Sequence, residues 1–225
     1  MIRKAAIISI SGTSLSHKEI YIFKKEKPWG VILFKRNILS EKQLKKLIIS
    51  IKKLMKDRRY PILIDEEGGQ VTRLSNLLNN STFSQKYIGD IYKIDKKIGL
   101  KIYENYIDSI SSKLKNLGIN INTLPVLDLY KKSAHPVIGN RSYSEIPETV
   151  SELGRSCVQF FKNNKIGTVI KHIPGHGKAN VDSHFKLPIV KDDPLSLKKN
   201  DFKCFKQTKS FFAMTAHVLY SKIDN

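Results

Sequence analysis

Cysteine is scarce: the 225-residue chain has two, Cys157 and Cys204. Two cysteines so far apart cannot build a disulfide scaffold and match no zinc-ligand spacing. A reduced, cytoplasmic setting is the expectation, with no metal. Long apolar runs are missing too. None approaches the roughly 20 residues that a membrane-crossing helix needs, so the sequence reads as soluble and without a membrane partner. Met1-Ile2-Arg3-Lys4 and the following Ala5-Ala6-Ile7-Ile8 imitate the start of a signal peptide. Ser9, Ser11 and Gly12 interrupt the apolar stretch and no small-residue cleavage pattern follows, so a buried strand is the better reading. Acidic residues are also few, 20 Asp+Glu against 40 Lys+Arg, for a formal charge of +20 at pH 7.

Such an excess raises the question of phosphate binding. Only seven of the cations are Arg, and the lysines are spread along helix faces such as Glu41-Lys42-Gln43-Leu44-Lys45-Lys46-Leu47. No basic stripe interleaved with aromatics is present. A solvated Lys-rich surface, with no specific nucleic-acid partner, is the expectation. The 40% hydrophobic fraction excludes disorder, and the length fits one domain. No linker, repeat or low-complexity stretch divides the chain.

Apolar β-rich runs alternate with helical patterns. Strands are predicted at 4–10, 30–34, 61–65, 121–127, 167–171 and 212–216, and helices at 40–56, 93–117, 146–163 and 196–208. Ser40 followed by Gln43 reads as a capping box, and Gly118 as a helix stop. Six strands buried on both faces, with helices between, indicate parallel βα units. Polar residues collect after the strands: Asp65-Glu66-Glu67, Asp128, Lys171-His172 and His217. That is where parallel α/β folds build their sites, in an open sheet or a barrel. A closed barrel needs eight strands and typically about 250 residues; six strands are legible here.

The densest chemistry lies in KHIPGHGKANVDSH, residues 171–184, with three histidines and an aspartate around Pro and Gly. His172 and His176 have the spacing of zinc ligands on a helix, but Pro174-Gly175 breaks any helix between them. Asp182 and His184 read as a proton-transfer pair, the carboxylate fixing the tautomer of the ring. In PILIDEEGGQVTRL, a strand delivers Asp65 to a rim, Gly68-Gly69 allows close backbone approach, and Arg73 follows. Carboxylates with Arg suit hydroxyl-rich sugars, which donate and accept paired hydrogen bonds. Asp128 either anchors a loop or takes part in chemistry, Arg141 is a ligand-contact candidate, and His217 is a structural histidine or a substrate contact.

Together the segments GVILFKRN, IDEEGGQVTRL, LPVLDL, VIGNRSY, KHIPGHGKANVDSH and AMTAHVLY resemble glycoside hydrolase family 3, in its bacterial β-N-acetylhexosaminidase branch. The resemblance spans nearly the whole chain. It implies an incomplete TIM-type (β/α) barrel with about six of eight βα units, residues 1–225 being a barrel domain of N-terminal type without the last two. It implies retaining cleavage of terminal β-linked N-acetylglucosamine during cell-wall muropeptide recycling, with no cofactor. By motif, His184 would be the acid/base and Asp182 its partner, while Asp65, Arg73, Arg141, Lys171 and His172 would bind the sugar. Asp128, His176 and His217 would be further contacts or structural. Gln70 stands where the family commonly has Arg, and Asn140 where it commonly has Asp.

The family's nucleophilic Asp lies on a seventh strand, beyond the Ala-His-Val segment. This chain runs to Ser221-Lys222-Ile223-Asp224-Asn225, and Asp224 follows His217 too closely to replace it. Two expectations result. The chain carries the binding half and the acid/base loop, and turns over substrate when another fragment supplies the nucleophile; or it is a sugar-binding remnant without turnover. Open strand edges would favour self-association or completion by a second polypeptide.

Overall fold

A computed structural model describes residues 2–132, 137–179, 181 and 186–223. Six parallel strands form one sheet: β1 (Lys4–Ile8), β2 (Pro28–Leu33), β3 (Ile62–Ile64), β4 (Ile121–Asn122), β5 (Gly167–Ile173) and, at the far edge, β7 (Phe212–Thr215). The order follows the chain, each strand pairing with the next, as in Val31 with Ile62 and Leu63 with Ile121. This is a curled, incomplete TIM-type barrel. Its β1 and β7 edges are unpaired with each other among the described residues. A second, two-stranded parallel ladder joins β6 (Ile189–Val190) to β8 (Leu219–Tyr220).

Connections run through helices α1 (His17–Glu26), α2 (Glu41–Leu54), α3 (Gln85–Ile94), α4 (Lys96–Leu117), α5 (Pro147–Asn163), α6 (Pro194–Lys199) and α7 (Asp201–Gln207). Strand alternation sends Val31, Leu33, Ile62 and Ile64 to the helix-covered side, where they join Leu44, Ile48, Ile51, Ile107, Ile110 and Phe161 in one core. Each such side chain contributes roughly 1.5–3 kcal/mol on burial. No helix among the described residues is long and apolar enough to cross a membrane.

The fold departs from expectation in three places. β1 and β7 were expected to be buried on both faces, yet Ile7 is 47% and Met214 36% exposed. As edge strands they border the concave side, where Ile7, Trp29, Ile32, Leu63, Val169 and Phe212 line an open cavity. The strand expected over 121–127 pairs regularly only at Ile121–Asn122. Pro125 has no N–H to give a ladder, and the segment continues as a bridge between Val126 and Lys171. Finally, the helix expected over 196–208 breaks at Asn200 into α6 and α7.

Helix ends explain what the periodicity showed and what it missed. Gly118 closes α4 in the left-handed region, φ +89°, where glycine carries no Cβ penalty. Ser40 Oγ accepts from the Gln43 N–H, but the Gln43 carboxamide accepts from Leu39 rather than Ser40, so the box is half formed. The full capping box belongs to α1, between Ser16 and Glu19. Neither α1 nor α3 was expected. α3 starts at Ser84, whose hydroxyl accepts from the Tyr87 N–H.

Candidate active site

β3 and β5 flank the short β4, and residues from their carboxyl ends meet across it. Asp65, just past β3, accepts from Arg73 Nη2 at 2.7 Å and from Thr123 Oγ1 at 2.6 Å, and pairs with Lys171 from β5. Lys171 also lies 2.5 Å from Glu67 Oε1 and donates to Thr123 Oγ1 at 3.1 Å. Its three ammonium protons thus face three oxygens. Arg141 holds the same Glu67 in a two-pronged grip, Nε to Oε2 at 2.8 Å and Nη2 to Oε1 at 2.9 Å. A charge chain results: Arg73, Asp65, Lys171, Glu67, Arg141.

The chain of contacts continues into the histidine loop. Arg141 Nη2 lies 3.4 Å from His172 Nε2, and His172 Nδ1 lies 2.6 Å from Asp128 Oδ2. Arginine has no acceptor, so Nε2 accepts and Nδ1 carries the proton towards Asp128. The other Asp128 oxygen takes the His176 backbone N–H at 2.6 Å. Asp128 is fully buried and is not among the side chains that line the cavity; it meets the His172 ring through one oxygen and the His176 backbone through the other.

Charges here hold one another in place. Burial opposes ionisation of Asp65, but the Lys171 ammonium, the Thr123 hydroxyl and Arg73 outweigh it and keep the carboxyl well below the usual carboxylate range. Asp128 is likewise held down, against its burial, by His172 and the His176 amide. Burial opposes the charge on Arg141, yet Glu67 keeps its pKa above the ordinary value. For His176 burial wins, lowering its pKa so that the ring is neutral at pH 7. Its Nδ1 has no partner among the described residues.

These side chains line a cavity of about 580 Å³. Asp65, Arg73, Arg141, Lys171, His172, His176 and His217 all face it, with Phe34, Ile138 and Met214 as apolar wall. Among the expected site residues, Asp182 and His184 lie outside the described residues, as does Asp224. Sequence reasoning passed over Glu67 and Thr123, which tie the cations together. Glu67 stood in plain view in Asp65-Glu66-Glu67, but nothing in the sequence ranked the three acids. Glu66 turns the other way: its carboxylate accepts from the Arg73 and Leu74 N–H groups, Thr72 and Asn80, folding the loop that presents Arg73.

A curled parallel sheet with an ionised cavity at the carboxyl ends of its strands is the architecture of (β/α)-barrel enzymes. The sequence matches the profile of the glycosyl hydrolase family 3 N terminal domain over residues 4–225, and the chain belongs to that family. It is 32% identical over 225 residues to a beta-hexosaminidase of Methylobacillus flagellatus, covering 97% of this chain and 63% of the relative. It is 34% identical over 205 residues to beta-hexosaminidase A of Pseudoalteromonas piscicida, covering 87% of this chain and 34% of that protein. The crystal structure of NagZ from Neisseria gonorrhoeae in complex with N-trifluoroacetyl-D-glucosamine superposes with a TM-score of 0.90 at 28% identity, over 99% of this chain and 66% of that one. The chain therefore spans less than two thirds of the length of these relatives.

Proposed function

We propose that this chain supplies the sugar-binding cavity and the acid/base loop of a retaining β-N-acetylhexosaminidase that removes terminal β-linked N-acetylglucosamine. One observation carries the reading. In a chain of charge +20, the cavity and the groups directly behind it balance Asp65, Glu67 and Asp128 against Arg73, Arg141 and Lys171. A phosphate or nucleic-acid site would hold surplus cations. A balanced set of fixed donors and acceptors instead suits a neutral, hydroxyl-rich ligand. The relatives named beta-hexosaminidase, and the neighbour bound to an N-acylated glucosamine, support the same choice.

In this reading Asp65, Arg73, Arg141, Lys171 and His172 hold the sugar, His176 and His217 complete the wall, and Asp128 sets the His172 tautomer. His184 gives a proton to the glycosidic oxygen and later takes one from water, and Asp182 steadies its imidazolium. A His–Asp pair then does the work of the carboxylic acid in the usual two-carboxylate scheme. The attacking carboxylate comes from the part of the family's length that this chain does not span, in the same polypeptide or a complementing one. The substrates would be cell-wall fragments recycled in the cytoplasm. Hydrolysis of an aryl β-N-acetylglucosaminide, measured with and without the downstream third of a family relative, tests this. Saturable N-acetylglucosamine binding with turnover only in the mixture is expected; absence of binding would overturn the proposal.

A further inference from the structure

Behind the histidine loop, away from the cavity, sits a polar cluster that none of the chemistry above uses. Lys178, two residues after His176, is only 10% exposed in its side chain and reaches Asp192 Oδ1 at 2.8 Å and Asp201 Oδ2 at 3.2 Å. Asp201 opens α7 and is 2% exposed; Asp192, before α6, is 33% exposed. From the same side Tyr220 OH, on β8, donates to the Gly175 carbonyl. Gly175, at φ +140°, packs so tightly that an added Cβ would meet Asp201 Cβ at 3.0 Å. An added Cβ on Gly177 would lie 2.1 Å from the Leu129 carbonyl. The turn is thus boxed in by Leu129, α7 and β8.

We infer that Lys178 is a positioning residue: by bridging Asp192 and Asp201 it seats the 174–179 turn so that the His176 amide meets Asp128, which in turn orients His172. The inference rests on the sugar-site reading for its functional meaning, though not for its geometry. Lys178 is the central cation of this cluster, with Lys131 only at 4.0 Å from Asp192. Its removal leaves Asp201 as a buried carboxylate with no cation beside it among the described residues, and burial already pushes that carboxyl up. The turn then loses its tie to α6 and α7, and the 2.6 Å bond from the His176 amide to Asp128 is the contact at its opposite end.

A purely structural ion pair would change stability and leave the site alone. The test therefore reads the site: the His176 amide by 1H–15N NMR, N-acetylglucosamine affinity by titration, and Tm, in Lys178→Met, Lys178→Arg and, as a control, the exposed Lys191→Met. Lys178→Met is expected to move the His176 amide upfield and to weaken binding about tenfold, the low end of the loss when an outer supporting partner is removed. Lys178→Arg keeps both, and Lys191→Met changes neither. An unmoved amide with unchanged affinity in Lys178→Met overturns the inference. If that variant does not fold, Asp192→Asn, at the more exposed partner, decides by the same two readouts. Should the wild-type chain bind no sugar, the proposed function fails while the His176 amide still judges the clamp.

Discussion

Lys171 and Glu67 stand 2.5 Å apart with their side chains only 2% and 1% exposed, one from β5 and one from the loop after β3. Both are almost wholly enclosed by their neighbours, so each depends on the other and on the flanking Asp65 and Arg141. An ion pair this deep adds little net stability over an apolar pair, but breaking it leaves an uncompensated charge.

Lys171→Met should therefore destabilise the chain by about 3–5 kcal/mol, the range for removing one partner of a buried pair. Urea unfolding measures it. A loss below about 1 kcal/mol, the level of an exposed pair, would mean that the Glu67 and Asp65 charges are met in some other way.

The Asp128–His172 contact fixes which ring nitrogen carries the proton. Asn at position 128 offers a donor as readily as an acceptor, so Asp128→Asn should populate both neutral tautomers of His172 and weaken sugar binding by about tenfold or more. Ring 15N shifts separate the tautomers; a ring that stays protonated on Nδ1 would contradict the assignment.

Acid should unfold the chain in two stages. His176 has its pKa lowered by burial from 6.5, so the unfolded state binds its proton first and stability falls as pH drops below that value. Asp65 and Asp128, held below the ordinary 3.8 against their burial, contribute fully above that pH and lose their contribution as pH falls beneath it. Asp201, pushed up by burial, has the opposite sign and softens the slope. Denaturant midpoints from pH 8 to pH 3 record the profile, and Asp65→Asn should flatten its lower limb only.

Both thiols should be inert in the folded protein. Cys157 and Cys204 are buried, and burial pushes each pKa up to about 12, so the reactive thiolate is nearly absent at pH 8. Neither should react with a disulfide reagent until denaturant is added; prompt labelling of either would show that α5 or α7 opens locally.

Much of the site was legible because its residues sit in short segments tied to strand ends. Asp65, Lys171, His172 and His217 lie at the ends of apolar runs whose alternation with helices indicates parallel pairing, and the cavity gathers all four. Missed helices have a local reason. α1 and α3 are only ten residues each, under three turns, so their apolar repeats are short, and Lys and Tyr interleave them after the caps at Ser16 and Ser84. β4 was overextended because Leu124, Val126 and Leu127 are as buried as strand residues although Pro125 stops the ladder.

Amino-acid order alone determined the family, the parallel βα architecture and the residues at the strand ends, since each is written in local patterns of apolarity and in motifs a few residues long. Tertiary structure alone decided which acid answers which cation. Asp65 meets Lys171 and Glu67 meets Arg141 across gaps of 106 and 74 positions. Those pairings are set by strand register and by the turn that Glu66 folds. No local pattern encodes a distance between side chains that meet only when the sheet curls.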